Sequence, residues 1–174
     1  MTSTRTLTSD DGDLLLHTGV GGRAARTGHR LTIAMRDWTA TATIDDDALT
    51  ALEVSVRVDS LDVVSGEGGL TPMTGAERAV ARSNALKSLK ADKFGTVTYS
   101  SSSITADGDG YRIDGTLTIC GVAKPHPLTV TAVGDTLMLD TPVTQTDFGV
   151  KPYSLMMGTL KVADEVRVTA SVRR

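Results

Sequence analysis

Apolar side chains recur at every second residue through most of this chain, and that period restricts the fold more than any other feature. In "LEVSVRVDS", residues 52 to 60, Leu52, Val54, Val56 and Val58 share one face, while Glu53, Ser55, Arg57 and Asp59 share the other. Successive side chains of a strand point to opposite sides, so the pattern reads as a strand dry on one face and wet on the other. It recurs in "RLTIAMR" (Leu31, Ile33, Met35), in "YRIDGTLTI" (Tyr111, Ile113, Leu117, Ile119) and in "EVRVTASVRR" (Val166, Val168, Ala170, Val172). Five further segments, "DLLLHTG", "WTATATI", "VTYSSSSIT", "PLTVTAV" and "TLMLDTPVTQT", bring the count to eight or nine strands.

The connections favour an antiparallel meander. "DDDA" at 45 to 48, "DGDG" at 107 to 110 and "GD" at 134 to 135 supply residues that tolerate positive φ, as tight hairpins require. Between 31 and 44 the apolar phase moves from odd residues to the even set Trp38, Ala40, Ala42 and Ile44, which predicts a bend near Arg36 and Asp37. Asp164 shares the phase of Leu160, Val162 and Val166, so either it points inward or the chain bulges there. One stretch follows a different rule. Thr74 and Glu77 form a Thr-x-x-Glu capping box, and a helix is expected from about Gly75 to Leu89. Its apolar residues fall near one face as Ala76, Val80, Ser83 and Leu86 or as Ala79, Leu86 and Leu89. The preceding "SGEGGLTPM" reads as a flexible loop. The fold class is therefore mainly β, an up-and-down barrel or a sandwich with one helix over it.

Length and charge narrow the function. A chain of 174 residues suits one domain, which buries roughly 70% of its unfolded surface. Residues 1–12 are expected as a flexible tail and 13–174 as the domain. Aromatics make up 3% of residues, so small and β-branched side chains must build the core. Cys120, the lone cysteine, forms no internal bridge, and the first residues lack a charged start followed by an apolar run, from which a cytoplasmic location is expected. The longest apolar runs are too short to span a membrane, and a net charge of −3 argues against nucleic acid as a partner.

Candidate chemical motifs lack their required contexts. Asp147-Phe148-Gly149 has the letters of the kinase magnesium tripeptide but none of the accompanying loops, and reads as a strand end with a glycine turn. Gly19-x-Gly21-x-x-Ala24 follows a strand, as a dinucleotide fingerprint does, but strand-like alternation succeeds it instead of a helix. His17, His29 and His126 stand far apart without metal-ligand spacing, and Cys120 at a strand end suits a small core residue better than a nucleophile. No catalytic residue, metal or cofactor is expected.

Several stretches, taken together, resemble one family. "GTLTICGVAKPHPLTV" at 115 to 130, "TDFGVKPYSLMMGTLKVADEVRV" at 146 to 168, "GHRLTIAM" at 28 to 35 and "ALKSLKADKFGTVTYSSSSI" match the YceI-like signatures in order, from about residue 13 to 172. Gly95, Cys120 and His126 depart from residues usual there. The resemblance implies a lipocalin-like antiparallel barrel of about eight strands with one helix over it. It further implies a carrier that holds a polyisoprenoid or similar long amphiphile non-covalently. On this reading Leu31, Ile33, Met35, Val54, Val56, Tyr99, Leu117, Ile119 and Leu128 are expected as cavity walls, and Tyr153, Leu155, Met156 and Met157 as a lid. The partners implied are a hydrophobic small molecule or prenyl lipid and, in one version, a second copy in a homodimer. An interaction or stress-response module on the same scaffold, and an enzyme acting on an amphiphile, are the competing readings.

Overall fold

In the computed structural model, which describes residues 1–174, the alternating segments form strands and the Thr74-initiated segment forms a helix. In chain order the strands are β1 (Thr2–Thr8), β2 (Gly12–His17), β3 (Val20–Gly21), β4 (His29–Met35), β5 (Trp38–Asp45), β6 (Ala48–Arg57), β7 (Leu61–Gly68) and β8 (Thr96–Asp107). They continue with β9 (Gly110–Ile119), β10 (Val122–Pro125), β11 (Leu128–Val133), β12 (Thr136–Thr144), β13 (Ser154–Leu155), β14 (Leu160–Val162) and β15 (Glu165–Arg173). The helix α1 spans Gly75–Ser88.

The main sheet is antiparallel and runs β1-β5-β6-β8-β9-β11-β12-β15-β2-β4-β7, with β10 paired to β9. Its closure follows from that order. β4 and β5 lie near opposite ends of the sheet, yet only Arg36 and Asp37 separate them in sequence. β6 and β7 are equally distant in the sheet and are joined by Val58–Ser60 alone. Such short links are possible only if the sheet curls until its ends meet, which makes β6-β8-β9-β11-β12-β15-β2-β4 an eight-walled barrel. The two corners are tied together: Arg36 N–H donates to Ser60 O at 3.2 Å, and Arg57 N–H donates to Asp37 O at 2.9 Å. The expected bend near Arg36 and Asp37 is this corner.

The hairpins form where turn chemistry placed them. Asp46 and Asp47 adopt φ of 47° and 67°, and the αL glycines Gly108 and Gly134 sit in the β8–β9 and β11–β12 turns. Asp164 resolves as an irregularity between β14 and β15. Its carboxylate accepts from Thr146 N–H at 2.9 Å and from the Thr146 hydroxyl at 2.6 Å. Three expectations need correction. Residues 2 to 8 are no tail: β1 pairs with β5 from Thr2↔Asp45 to Thr8↔Thr39. Ser65 to Gly68, read as loop, complete β7 against β4. The strands also outnumber the eight or nine expected, because β1, β7 and β10 join the main sheet and two- and three-residue strands form a second sheet, β13-β14-β3.

α1 starts where the capping rule says, with the Thr74 hydroxyl accepting from Glu77 N–H at 3.1 Å. Its packed face differs from either expected stripe. Ala81, Ala85, Leu86 and Leu89 lie on the core cluster of Ile33, Met35, Trp38, Ala40, Val56, Leu61 and Val63, while Val80 is left 60% exposed. Arg82 decides this rotation: its guanidinium donates to Leu61 O at 2.7 Å and to Asp59 O at 2.6 Å, pinning the helix over the β6–β7 corner. Two smaller clusters, Tyr99-Ile113-Leu128 and Val143-Phe148-Val150, complete the core.

Candidate functional site

Only 17 of the 174 residues are buried, which is too thin a core to fill an eight-walled barrel. The space left is a cavity of about 480 Å³, within the usual range for small-molecule sites. It is apolar: 30 of its 42 lining residues are hydrophobic. Small and β-branched side chains explain it. A barrel of this size has an interior that large side chains can fill, whereas Val54, Val56, Val97, Val143 and Val168 leave the axis open.

Each wall comes from the inward face of an alternating strand. β4 contributes Leu31, Ile33 and Met35, and β6 contributes Val54 and Val56. Tyr99 of β8, Leu117 and Ile119 of β9, and Leu128 of β11 complete the nine residues expected as walls, and all nine line the cavity. Two of the four lid residues, Tyr153 and Leu155, line it as well. Met156 and Met157 do not. They form the tip of the β13–β14 hairpin with φ of 50° and 58°, and they are 59% and 104% exposed. That turn carries their side chains into solvent, so the lid expectation is corrected for both.

Sequence reasoning missed other lining residues. Leu14 and Leu16 of β2 were legible from the alternation in "DLLLHTG", and α1 adds Ala81, Asn84, Ala85 and Ser88 as a roof. Of the four exposed lining residues, Thr27, Leu155 and Lys161 lie on the second sheet and the adjoining 3₁₀ turn Ala25–Thr27, which marks the mouth there. This sheet is fastened to the turn by Ala24 N–H donating to Thr159 O at 2.7 Å.

Polar groups interrupt the apolar wall, and three of them are bonded within the protein. The Tyr99 hydroxyl donates to His126 O at 2.8 Å, His126 Nε2 lies 2.8 Å from Thr141 Oγ1, and Gln145 Nε2 donates to Ala163 O at 3.0 Å. His126 is further held by its N–H donating to Gly115 O at 2.8 Å. Burial disfavours charge at each site. It pushes the Tyr99 phenol up to about 12, helped by Asp114, and pushes His126 below the usual histidine value.

The other candidate centres do not assemble. His17 pairs with Thr169 and His29 with Thr71 O, so the three histidines go separate ways, and no group of three His, Cys, Asp or Glu is placed to hold a metal ion. Cys120 turns the chain at φ of 50°, its thiol donating to Leu89 O at 3.0 Å. Burial raises its pKa more than Lys90 lowers it, the reverse of what an activated nucleophile needs.

Comparison with known proteins agrees with this architecture. The family model described as YceI-like domain matches residues 17–173. The BcnA protein of Burkholderia cenocepacia superposes with a TM-score of 0.63 at 21% identity, over 91% of this chain and 94% of that one. A Campylobacter jejuni YCEI protein superposes with a TM-score of 0.61 at 17% identity, over 82% of each chain. No curated protein matches at a significant level.

Proposed function

We propose that this chain, which belongs to the YceI-like domain family, is a carrier that holds a polyisoprenoid or similarly long amphiphilic lipid non-covalently inside its barrel. The observation that carries the reading is the apolar cavity of about 480 Å³. Burial of each methylene contributes about 0.8 kcal/mol, so ten buried methylenes supply roughly 8 kcal/mol, offset by the cost of ordering a flexible chain. Such a sum favours a long, unbranched-to-methylated chain over a compact polar molecule. The polar end of the amphiphile belongs at the mouth, where Thr27 and Lys161 meet water. Catalysis has no comparable support, because Tyr99 and His126, where burial disfavours charge, are already bonded within the protein.

Titration with the fluorescent polyene cis-parinaric acid tests this reading. The expected result is saturable one-to-one binding, displaced by a long prenyl alcohol. Joint replacement of Val54→Trp and Leu117→Trp fills the cavity and weakens binding by about ten-fold or more, equivalent to ~1.4 kcal/mol, while the melting temperature holds. Equal binding by wild type and the filled variant would contradict an internal site.

A further inference from the structure

Two features set the rim of the cavity mouth apart. The first concerns turn chemistry. The tip of the β13–β14 hairpin holds Met156 and Met157 in the left-handed region, where Gly, Asn or Asp are the usual residues and other side chains cost about 1 kcal/mol. Both side chains project into solvent, with Leu155 beside them 47% exposed and Leu70, on the neighbouring loop, 78% exposed. Large apolar residues gathered at one end of a molecule mark a contact surface.

The second concerns charge. The segments framing the mouth are 20 to 30, 67 to 73 and 153 to 164. They carry Arg23, Arg26, Arg30 and Lys161 against Glu67 and Asp164, a net charge of +2 in a chain of net −3. Arg26 and Arg30 flank a surface depression that also holds Leu70 and shares Thr27 and Gly28 with the cavity. None of the four cations is in a salt bridge, so their charge is free to meet an external anion. The remainder of the molecule is then net −5, so an anionic plane attracts the mouth and repels the rest of the molecule.

From this combination we propose that the rim docks on the surface of an anionic lipid bilayer, with Met156 and Met157 entering the acyl boundary and Arg23, Arg26 and Arg30 facing lipid phosphates. Methionine suits that place because its flexible thioether adapts to a disordered environment. Docking in this orientation turns the cavity mouth toward the membrane, so a lipid can pass between bilayer and barrel without crossing water. The inference extends the carrier reading, but its physical basis is the rim alone.

Flotation of the full-length protein with vesicles tests it, with no cargo added. The expected result is co-flotation with phosphatidylcholine vesicles containing phosphatidylglycerol, little with phosphatidylcholine alone, and loss as salt is raised. Removing one cation, as in Arg26→Ala, lowers partitioning roughly five-fold, from about 1 kcal/mol per basic residue. Met156→Asp with Met157→Asp abolishes it at an unchanged melting temperature. Failure to float with anionic vesicles, or undiminished flotation of the Met variant, overturns the proposal. A Met variant that instead converts a dimer to a monomer assigns the rim to self-association, which also overturns it. A protein that binds cis-parinaric acid yet never floats refutes docking and leaves the carrier reading standing; one that floats but binds no probe does the reverse.

Discussion

At the scale of single residues, the polar members of an apolar wall are the most sensitive points. Tyr99 is 6% exposed, and its hydroxyl donates to His126 O, a partner that the carbonyl loses if the hydroxyl is removed. Tyr99→Phe should therefore destabilise the fold by about 1–3 kcal/mol, the usual cost of stranding a buried acceptor, as a lowered urea midpoint at unchanged slope. An unchanged midpoint would mean that water reaches the carbonyl. His126 makes a second prediction, whose sign follows from its environment. Burial lowers its folded pKa below the ordinary 6.5, so on acidification the unfolded chain takes up the proton first. Stability is full above about pH 6.5 and declines as pH falls through that value, down to the folded pKa. Denaturant melts between pH 7.5 and about 5.5 should show this decline in wild type and a flatter profile in His126→Gln. Asp164 acts in a separate and lower window: its bonds to Thr146 depress its pKa, so its contribution is present above the ordinary carboxylate range and lost below it. Neither role was legible in the sequence. His126 stood out only as an unusual residue between two prolines, because its partner Thr141 is supplied by a different strand.

Among the elements, period and punctuation carried most of the information. Long strands with one wet face, such as β6, β9 and β15, announce themselves through alternation, and their hairpins through Asp and Gly. β1 did not, because "TSTRTLT" is an exposed edge strand with one large apolar residue and so has no dry face to alternate. β3, β13 and β14 are too short to show any period. The helix was readable from its capping box, yet the face it buries was set by Arg82 reaching the corner carbonyls, a tertiary contact that no helical-wheel argument contains. Because Thr74 satisfies an otherwise free N–H of a helix roofing the cavity, Thr74→Ala should cost about 1 kcal/mol. Hydrogen exchange would locate that cost: α1 amides exchange faster than in wild type while β9 and β12 amides change less. Uniform acceleration across the sheet would contradict a local role for the cap.

For the molecule as a whole, the closing of the sheet is the decisive event. Two-residue and three-residue links join strands at opposite ends of the hydrogen-bonding order, and that topology makes an interior. Whether the interior is solid or hollow depends on summed side-chain volumes across eight walls, a quantity that alternation does not report. The nine wall residues could therefore be identified by face, while the cavity itself could not. The Met156-Met157 pair shows the opposite limit: an apolar composition suggested a cover over the barrel, and backbone conformation turned it outward. Whether the hollow holds a lipid is tested most directly by native mass spectrometry of gently purified protein. The predicted spectrum contains a species heavier than the apo chain by one amphiphile, released by organic solvent and absent from the Val54→Trp, Leu117→Trp variant. A spectrum with the apo mass alone, unchanged after incubation with long prenyl lipids, would contradict the claim.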